Sequence, residues 1–285
     1  MNVINGKEIS KIIREEARVE CEKYVSEGKR APGLAVVQCG ADPASEVYVR
    51  NKEKACAKAG FASFKYDLPE ETSEEELLKL IDSLNQNDEV DGILIQLPLP
   101  KHIDELKVIE KVDPWKDVDA FNPVNAGRLM QGLDCFIPCT PYGVVELLKR
   151  SGFELEGKNC VILGRSNIVG KPQALLMLKE NATVSVCHSR TKNIAEICRN
   201  ADILISAMGK AKMVDKSFTN PDQVIIDVAI NVDEDGKLCG DVDYDGVAEH
   251  VKAITPVPGG VGPMTIAMLL KQTLTAYRRH MGIEE

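Results

Sequence analysis

Cys160-Val161-Ile162-Leu163 runs directly into Gly164-Arg165-Ser166-Asn167-Ile168-Val169-Gly170-Lys171-Pro172, and Gln173 to Lys179 follows with helical character. The short apolar run reads as a buried parallel strand, the glycine as the pivot of a sharp turn, and the remainder as a helix. Strand, glycine turn and helix in that order suit a dinucleotide phosphate. The turn aims backbone N–H groups and the positive end of the helix dipole at a pyrophosphate. Gly164 is expected to make the turn and Gly170 to let the helix pack close to the sheet. Ser166 stands where the usual fingerprint has its middle glycine, so the stretch is a variant, and a plain strand-to-helix turn is its other reading.

The next strand, Thr183-Val184-Ser185-Val186-Cys187, ends about where an NAD-specific fold places an acid against the ribose 2′-hydroxyl. Here it ends in His188-Ser189-Arg190-Thr191, without a carboxylate. Donors and a fixed positive charge suit a 2′-phosphate, and Arg165 in the turn is placed to reach it. NADP is therefore expected over NAD; a solvated loop is the alternative.

Strand and helix continue to alternate beyond this point, with strands at Ile203 to Ser206 and Val224 to Val228, which makes the second half a Rossmann-like domain. Pro258-Gly259-Gly260-Val261-Gly262-Pro263 follows, and a helix from Met264 to Arg279 ends the pattern. Toward the N-terminus, helices are expected at Ile9 to Ser26 and Pro43 to Ala59, and strands at Leu34 to Cys39, Ser63 to Leu68 and Gly92 to Leu97. Ser73 with Glu76 forms a capping box for a helix through Leu84. From Pro98 to Pro141 prolines interrupt any long element, which places active-site loops and the domain crossing there. Thr140-Pro141 reads as an N-cap and first helical residue of a helix to Lys149 that joins the lobes. The fold class is thus α/β with two domains: an N-terminal α/β substrate domain, 1–138, and a C-terminal Rossmann-like NADP-binding domain, 139–265, with the helix 266–285 packing back on the first.

The 285 residues carry a net charge of −9 with the acids dispersed, which argues against a nucleic-acid or anionic-membrane surface. Nine cysteines form no Cys-x-x-Cys pair, and the histidines at 102, 188, 250 and 280 never approach metal-ligand spacing, so no metal is expected. With no basic, apolar leader and no membrane-length apolar run, a soluble cytoplasmic protein is expected.

In the first half, Asp42-Pro43 starts a helix that sets Ser45, Tyr48 and Lys52 along one stripe, with Arg50 and Lys54 off it as solvated charge. A surface pair is the plain reading of Tyr48 with Lys52. Gln96 points the other way: it is the polar residue at the carboxyl end of a buried strand, where open α/β sheets bind ligands. A buried amide needs partners, which Lys52 and a substrate, or loop backbone, would supply. Alternation in Lys116-Asp117-Val118-Asp119 puts both carboxylates on one side, where either can accept two hydrogen bonds from an amino-pyrimidinone edge.

Taken together these segments resemble the bifunctional methylenetetrahydrofolate dehydrogenase/cyclohydrolase family, across nearly the full chain. The matching segments are Tyr48-Val49-x-x-Lys52, Asp91-Gly92 through Pro100, Pro114-x-Lys116-Asp117-Val118-Asp119, Pro138 to Pro141, the Gly164 to Pro172 turn, Cys187-His188-Ser189 and Pro258 to Thr265. Ala120 and Ala229 depart from the family's usual glycines.

The resemblance implies hydride transfer from 5,10-methylenetetrahydrofolate to NADP, then hydrolysis of the methenyl product to 10-formyltetrahydrofolate. It assigns Lys52 to moving protons during hydrolysis, Gln96 to orienting it, Tyr48 to stacking on the folate and Asp119 to holding the pterin edge. A lysine titrating near the usual value of about 10.4 must be lowered by burial and a cationic substrate before it can act as a base near neutrality. Gly164, Arg165 and Ser166 fall to the cofactor phosphates, Ser189 to the 2′-phosphate region with Arg190 as a secondary candidate, and Ile230 to the nicotinamide side. Pro258, Gly259 and Gly260 fall to the substrate, with a simple turn as their other reading. A homodimer built through the Rossmann-like domain is also implied. The rival readings are a monofunctional dehydrogenase of the same family, a shikimate-dehydrogenase-like NADP oxidoreductase, and a non-catalytic NADP-binding protein.

Overall fold

The apolar run that opens the dinucleotide stretch lies inside a parallel sheet. The computed structural model describes residues 2–40 and 43–283, with the backbone alone for Asn2 and residues 43–48. Its strands are β1 (Asn2–Val3), β2 (Gly33–Cys39), β3 (Ala62–Leu68), β4 (Gly92–Ile95), β5 (Asn159–Leu163), β6 (Thr183–Cys187), β7 (Ile203–Ser206), β8 (Val224–Asp227), β9 (Asn231–Val232), β10 (Leu238–Cys239) and β11 (Ala253–Ile254). Its helices are α1 (Gly6–Ser26), α2 (Pro43–Ala59), α3 (Glu74–Asn85), α4 (Glu105–Lys111), α5 (Pro123–Met130), α6 (Cys139–Arg150), α7 (Gly170–Lys179), α8 (Ile194–Arg199), α9 (Tyr244–Val247) and α10 (Val261–His280). The chain divides into two units, Met1–Lys11 with Pro138–Thr265, and Ile12–Ile137 with Ile266–Glu285.

The first unit is built on a six-stranded sheet of order β1-β11-β8-β7-β5-β6, parallel at every pairing. β7 and β8 are buried along their length, as is β5 after its first residue, so they read as unbroken apolar runs. β6 is an edge strand and mostly exposed, which explains its polar alternates. From β5 the chain goes to β6 on one side and continues with β7 on the other, so the order reverses at the carboxyl end of β5. Such a switch point is where open α/β sheets bind ligands, and the Gly164 turn stands on it.

The expected first domain of residues 1–138 differs from this division at its start. β1 pairs with β11, and Ile4 N donates to Ile254 O at 2.9 Å. Gly6 lies so close to the Gly260 carbonyl that a Cβ would stand 1.8 Å from it. These contacts tie residues 2–6 to the unit that holds the six-stranded sheet, and the two-residue β1 is too short to show a period. α6 also falls wholly within this unit rather than joining two lobes. Its N-cap is Pro138 and not Thr140, whose hydroxyl lies inside the first turn, 3.1 Å from that of Thr265.

The second unit holds a parallel sheet of order β3-β2-β4. β2 is central and fully buried, and β3, at the edge, alternates between half-buried and exposed. α3 begins with the Ser73–Glu76 capping box, both of whose bonds are made. Asp91, at the entry to β4, accepts from Arg30 at 2.6 and 2.7 Å and from Gly33 N at 2.7 Å, and His280 Nδ1 lies 2.8 Å away. These partners compensate a buried charge and fix where β4 starts. β4 ends at Ile95, short of the expected Leu97. The proline-rich span is not all loop, because it contains α4 and α5. Asp104 caps α4 by accepting from Leu106 N and Lys107 N, and Asn122 caps α5 from Val124 N, with Pro123 in the first turn. Proline at a helix start removes an N–H that had no helical partner, so here it begins a helix rather than interrupting one. No described helix is long and apolar enough to cross a membrane.

Candidate active site

Lys52 sits on the inner face of α2, between Val49 and Cys56, with 8% of its surface exposed. Burial of the stem beside apolar neighbours leaves the ammonium few directions in which to point. Its Nζ donates to Gln96 Oε1 at 3.0 Å. Gln96 follows the last residue of β4; its own N–H is held by Val37 O at 2.8 Å, and its Nε2 donates to Leu97 O at 2.7 Å. That second bond decides which way the amide faces: its oxygen toward Lys52, its nitrogen toward the backbone. Arg50 and Lys54, off this face, are exposed. One turn beyond Lys52, burial pushes the Cys56 thiol up to about 12, so it stays protonated and is no nucleophile. The side chains of Ser45 and Tyr48, and Asp42 at the expected helix start, lie outside the described residues.

The two carboxylates of the 116–119 segment do not share a side. Asp117 makes a parallel bridge to Ile93, and then the chain turns, with Ala120 N bonded back to Asp117 O at 3.0 Å. Alternation applies only to extended backbone, so the expectation fails at the turn. Asp117 is buried, accepting at Oδ2 from Asn122 N at 2.8 Å and Asn125 Nδ2 at 3.0 Å. Asp119, inside that turn, is half-buried. Ala120 closes the turn at φ 57°, a left-handed conformation that costs alanine about 1 kcal/mol, whereas Ala229 has no such φ.

Burial pushes the Asp117 carboxyl up to about 6, against the pull of the Asn122 and Asn125 donors. Raised above its ordinary 3.8, it binds its proton more tightly in the folded state. Its contribution to stability is therefore complete below the unfolded value and is lost as pH rises through 6. Asp117→Asn removes that titration. The stability of the variant relative to the parent, from urea midpoints, is expected to grow by about 1 kcal/mol between pH 5 and 7.5; a pH-independent difference would refute it.

In the first unit, Gly164 has φ 120° and a Cβ there would stand 2.3 Å from Ala207 O. A Cβ on Gly170 would stand 2.3 Å from Gly164 O. The helix thus starts on the backbone of its own turn, which is the contact that Gly170 serves. Ser166 explains the missing middle glycine: its Oγ accepts from Val169 N at 3.2 Å and Gly170 N at 3.3 Å. Two amides expected to face a phosphate are capped by this hydroxyl. What the turn offers outward is the exposed Arg165 and Ser166 themselves.

At the end of β6, His188 N donates to Thr191 Oγ1 at 2.9 Å and His188 Nδ1 accepts from Arg190 N at 3.2 Å. These bonds build a turn that leaves Ser189 and Arg190 exposed. Ile230 is 45% exposed, and its Cδ1 lies 3.7 Å from where a Cβ on Gly262 would be. Pro258 is exposed; Gly259 (φ 113°) and Gly260 are buried, the latter with room for no Cβ beside Thr255. Packing within the loop is enough to require Gly260. Sequence reasoning passed over two buried acids of this unit, Asp227 and Asp241; the signal was a carboxylate ending the apolar run of β8, the pattern that singled out Gln96. Among the described residues no group of acids, histidines or cysteines is arranged to hold a metal ion.

Two domain models match the chain: tetrahydrofolate dehydrogenase/cyclohydrolase, catalytic domain, over residues 4–119, and tetrahydrofolate dehydrogenase/cyclohydrolase, NAD(P)-binding domain, over residues 138–281. The chain belongs to this family. It is 58% identical over 282 residues to the bifunctional protein FolD of Magnetococcus marinus, covering 99% of each. Among solved structures, the bifunctional FolD dehydrogenase/cyclohydrolase of Campylobacter jejuni superposes with a TM-score of 0.95 at 46% identity, covering 98% of this chain and 99% of that one. The Trypanosoma brucei FolD, complexed with NADP cofactor and an inhibitor, gives 0.93 at 40%, covering 98% of each. The shikimate dehydrogenase of Thermus thermophilus shares the fold alone, at 16% identity and a TM-score of 0.52, covering 88% of this chain and 93% of that one.

Proposed function

We propose that the protein is a bifunctional, NADP-dependent methylenetetrahydrofolate dehydrogenase and methenyltetrahydrofolate cyclohydrolase, a cytoplasmic homodimer of one-carbon metabolism. The observation that carries the reading is the Lys52 Nζ to Gln96 Oε1 bond at the carboxyl end of a parallel strand. An amine that donates one N–H to a fixed amide oxygen has its lone pair directed elsewhere, which suits a base that takes a proton from water.

Bound NADP would accept the hydride, and the residues here fit it: a turn with no room for a Cβ at 164, an exposed Arg165, and exposed Ser189 and Arg190 without a neighbouring acid. Loss of hydride from the one-carbon bridge of 5,10-methylenetetrahydrofolate leaves a methenyl cation that its two nitrogens stabilise. No proton leaves carbon in this step, so the chain mainly positions two flat rings. Tyr48 is assigned to stacking and Asp119 to the pterin edge, with Pro258, Gly259 and Gly260 as further substrate contacts. Hydrolysis does need proton transfer. Water adds to the cationic carbon as neutral Lys52 takes one of its protons. Lys52 returns that proton to N5, the bond from carbon to N5 breaks, and the remaining hydroxyl proton leaves to solvent as the formyl C=O forms.

The purified protein with 5,10-methylenetetrahydrofolate is expected to reduce NADP with kcat/KM at least roughly tenfold above NAD, the value of one charge-assisted bond to the 2′-phosphate. Given methenyl substrate alone, it should speed the decay of methenyl absorbance over buffer, and light scattering should return twice the chain mass. Reduction without faster decay would make it a monofunctional dehydrogenase. Preference for NAD would overturn the assignment of Ser189 and Arg190.

A further inference from the structure

We propose that Asp241 is a positioning residue for hydride transfer, holding the loop after β7 and the start of β9 where they meet the nicotinamide end of the dinucleotide; this rests on the dehydrogenase reading above. Asp241 is fully buried. Its Oδ2 accepts from Ser206 Oγ at 2.9 Å and Met208 N at 2.6 Å, and its Oδ1 from Lys210 N at 2.7 Å and Asn231 Nδ2 at 3.1 Å. Ser206 is the last residue of β7, Met208 and Lys210 belong to the loop after it, and Asn231 adjoins Ile230. All four donors lie at or just past the carboxyl ends of β7 and β8, the end of the sheet that receives ligands.

The loop so held is in contact with the dinucleotide turn. Ala207 N donates to Leu163 O at 2.8 Å, and Ala207 O is the atom that a Cβ on Gly164 would strike. Asp241 is itself held from behind. Asp227, the last residue of β8, accepts from Asp241 N at 3.0 Å and Val242 N at 2.9 Å, and its own N–H is taken by Thr255 Oγ1 at 2.8 Å. Gly240 permits this, since a Cβ there would lie 1.9 Å from Asp227 Oδ2. Burial pushes the Asp227 carboxyl up to about 7, even with the Val242 and Asp241 amides on it. The first acid fixes the backbone of the second, and the second fixes two loops. A carboxylate suits that place because it alone accepts from four donors and brings none of its own. Asparagine would turn an N–H toward donors already there.

Asp241→Asn is therefore expected to weaken dinucleotide binding by calorimetry roughly tenfold or more and to lower the dehydrogenase kcat, while hydrolysis of methenyl substrate without dinucleotide stays within about twofold. A role confined to general stability would instead lower both activities together with the melting temperature, and that result overturns the proposal, as does parental dinucleotide affinity. If Asp241→Asn does not fold, Ser206→Ala removes one of the four donors. It should weaken binding roughly threefold and leave hydrolysis alone; unchanged binding overturns the proposal there too. Absence of both turnovers in the parent protein, with dinucleotide binding intact, would sink the functional reading instead, and the binding comparison would still judge Asp241.

Discussion

Replacing Lys52 with methionine should lower methenyltetrahydrofolate hydrolysis by a factor of about 10³ or more, with NADP binding unchanged. General-base catalysis by a positioned side chain contributes roughly 10²–10⁴, and methionine has no lone pair basic enough to replace it. The substitution is otherwise mild. Lys52 already packs its stem on the inner face of α2 with 8% exposure, so a thioether of similar length fits the same space and avoids burying a cation. Gln96 Oε1 loses its 3.0 Å donor but stays oriented through Nε2 on Leu97 O. The melting temperature should therefore hold while hydrolysis collapses. Decay of methenyl absorbance within tenfold of the parent rate would remove Lys52 from the mechanism. A fall in melting temperature that tracks the lost rate would make it structural.

The parts of this site legible in the sequence are those where a local pattern and tertiary burial agree. β5, β7 and β8 are apolar because they are interior strands of a parallel sheet buried on both faces, and Gln96 stands out because it breaks such a run. Capping chemistry likewise made α3 readable from Ser73 and Glu76 alone. What failed was local pattern settled by distant contacts. Asp117 and Asp119 look alternating, yet the bridge to Ile93 followed by a turn buries one and leaves the other half-buried. Thr140 has the chemistry of an N-cap, but its hydroxyl lies by that of Thr265. β1 and β11 carry two residues each, too few for any period, although they decide which unit owns the N-terminal segment. The four donors around Asp241 come from two stretches distant from it in sequence, 206–210 and Asn231, and no spacing rule anticipates them.

The second large effect lies in the glycine turn. Gly170→Ala should weaken NADP binding roughly 100-fold or more while methenyl hydrolysis stays within a few-fold. The new Cβ would stand 2.3 Å from Gly164 O and 2.8 Å from Arg165 Cα, both backbone atoms, so no side chain can swing aside. The turn cannot retreat either, because Gly164 is seated against Ala207 O at φ 120°. The start of α7 must therefore move by about 1 Å, at an overpacking cost of roughly 1–3 kcal/mol. That displacement opens the 3.2 and 3.3 Å bonds from Val169 N and Gly170 N to Ser166 Oγ, and with them the geometry of Arg165 and Ser166. Misplacement of this size is enough for a 100-fold loss at a positioned site. Gly157→Ala is the control: at φ 72° with nothing within 4 Å, it strains the backbone of the same unit by about 1 kcal/mol without pushing on the turn. If both variants lower the melting temperature but only Gly170→Ala loses NADP, the loss belongs to the turn. Equal losses of NADP affinity would mean that the cofactor reports the stability of the unit, and the close contact at Gly170 would then carry no special part in binding.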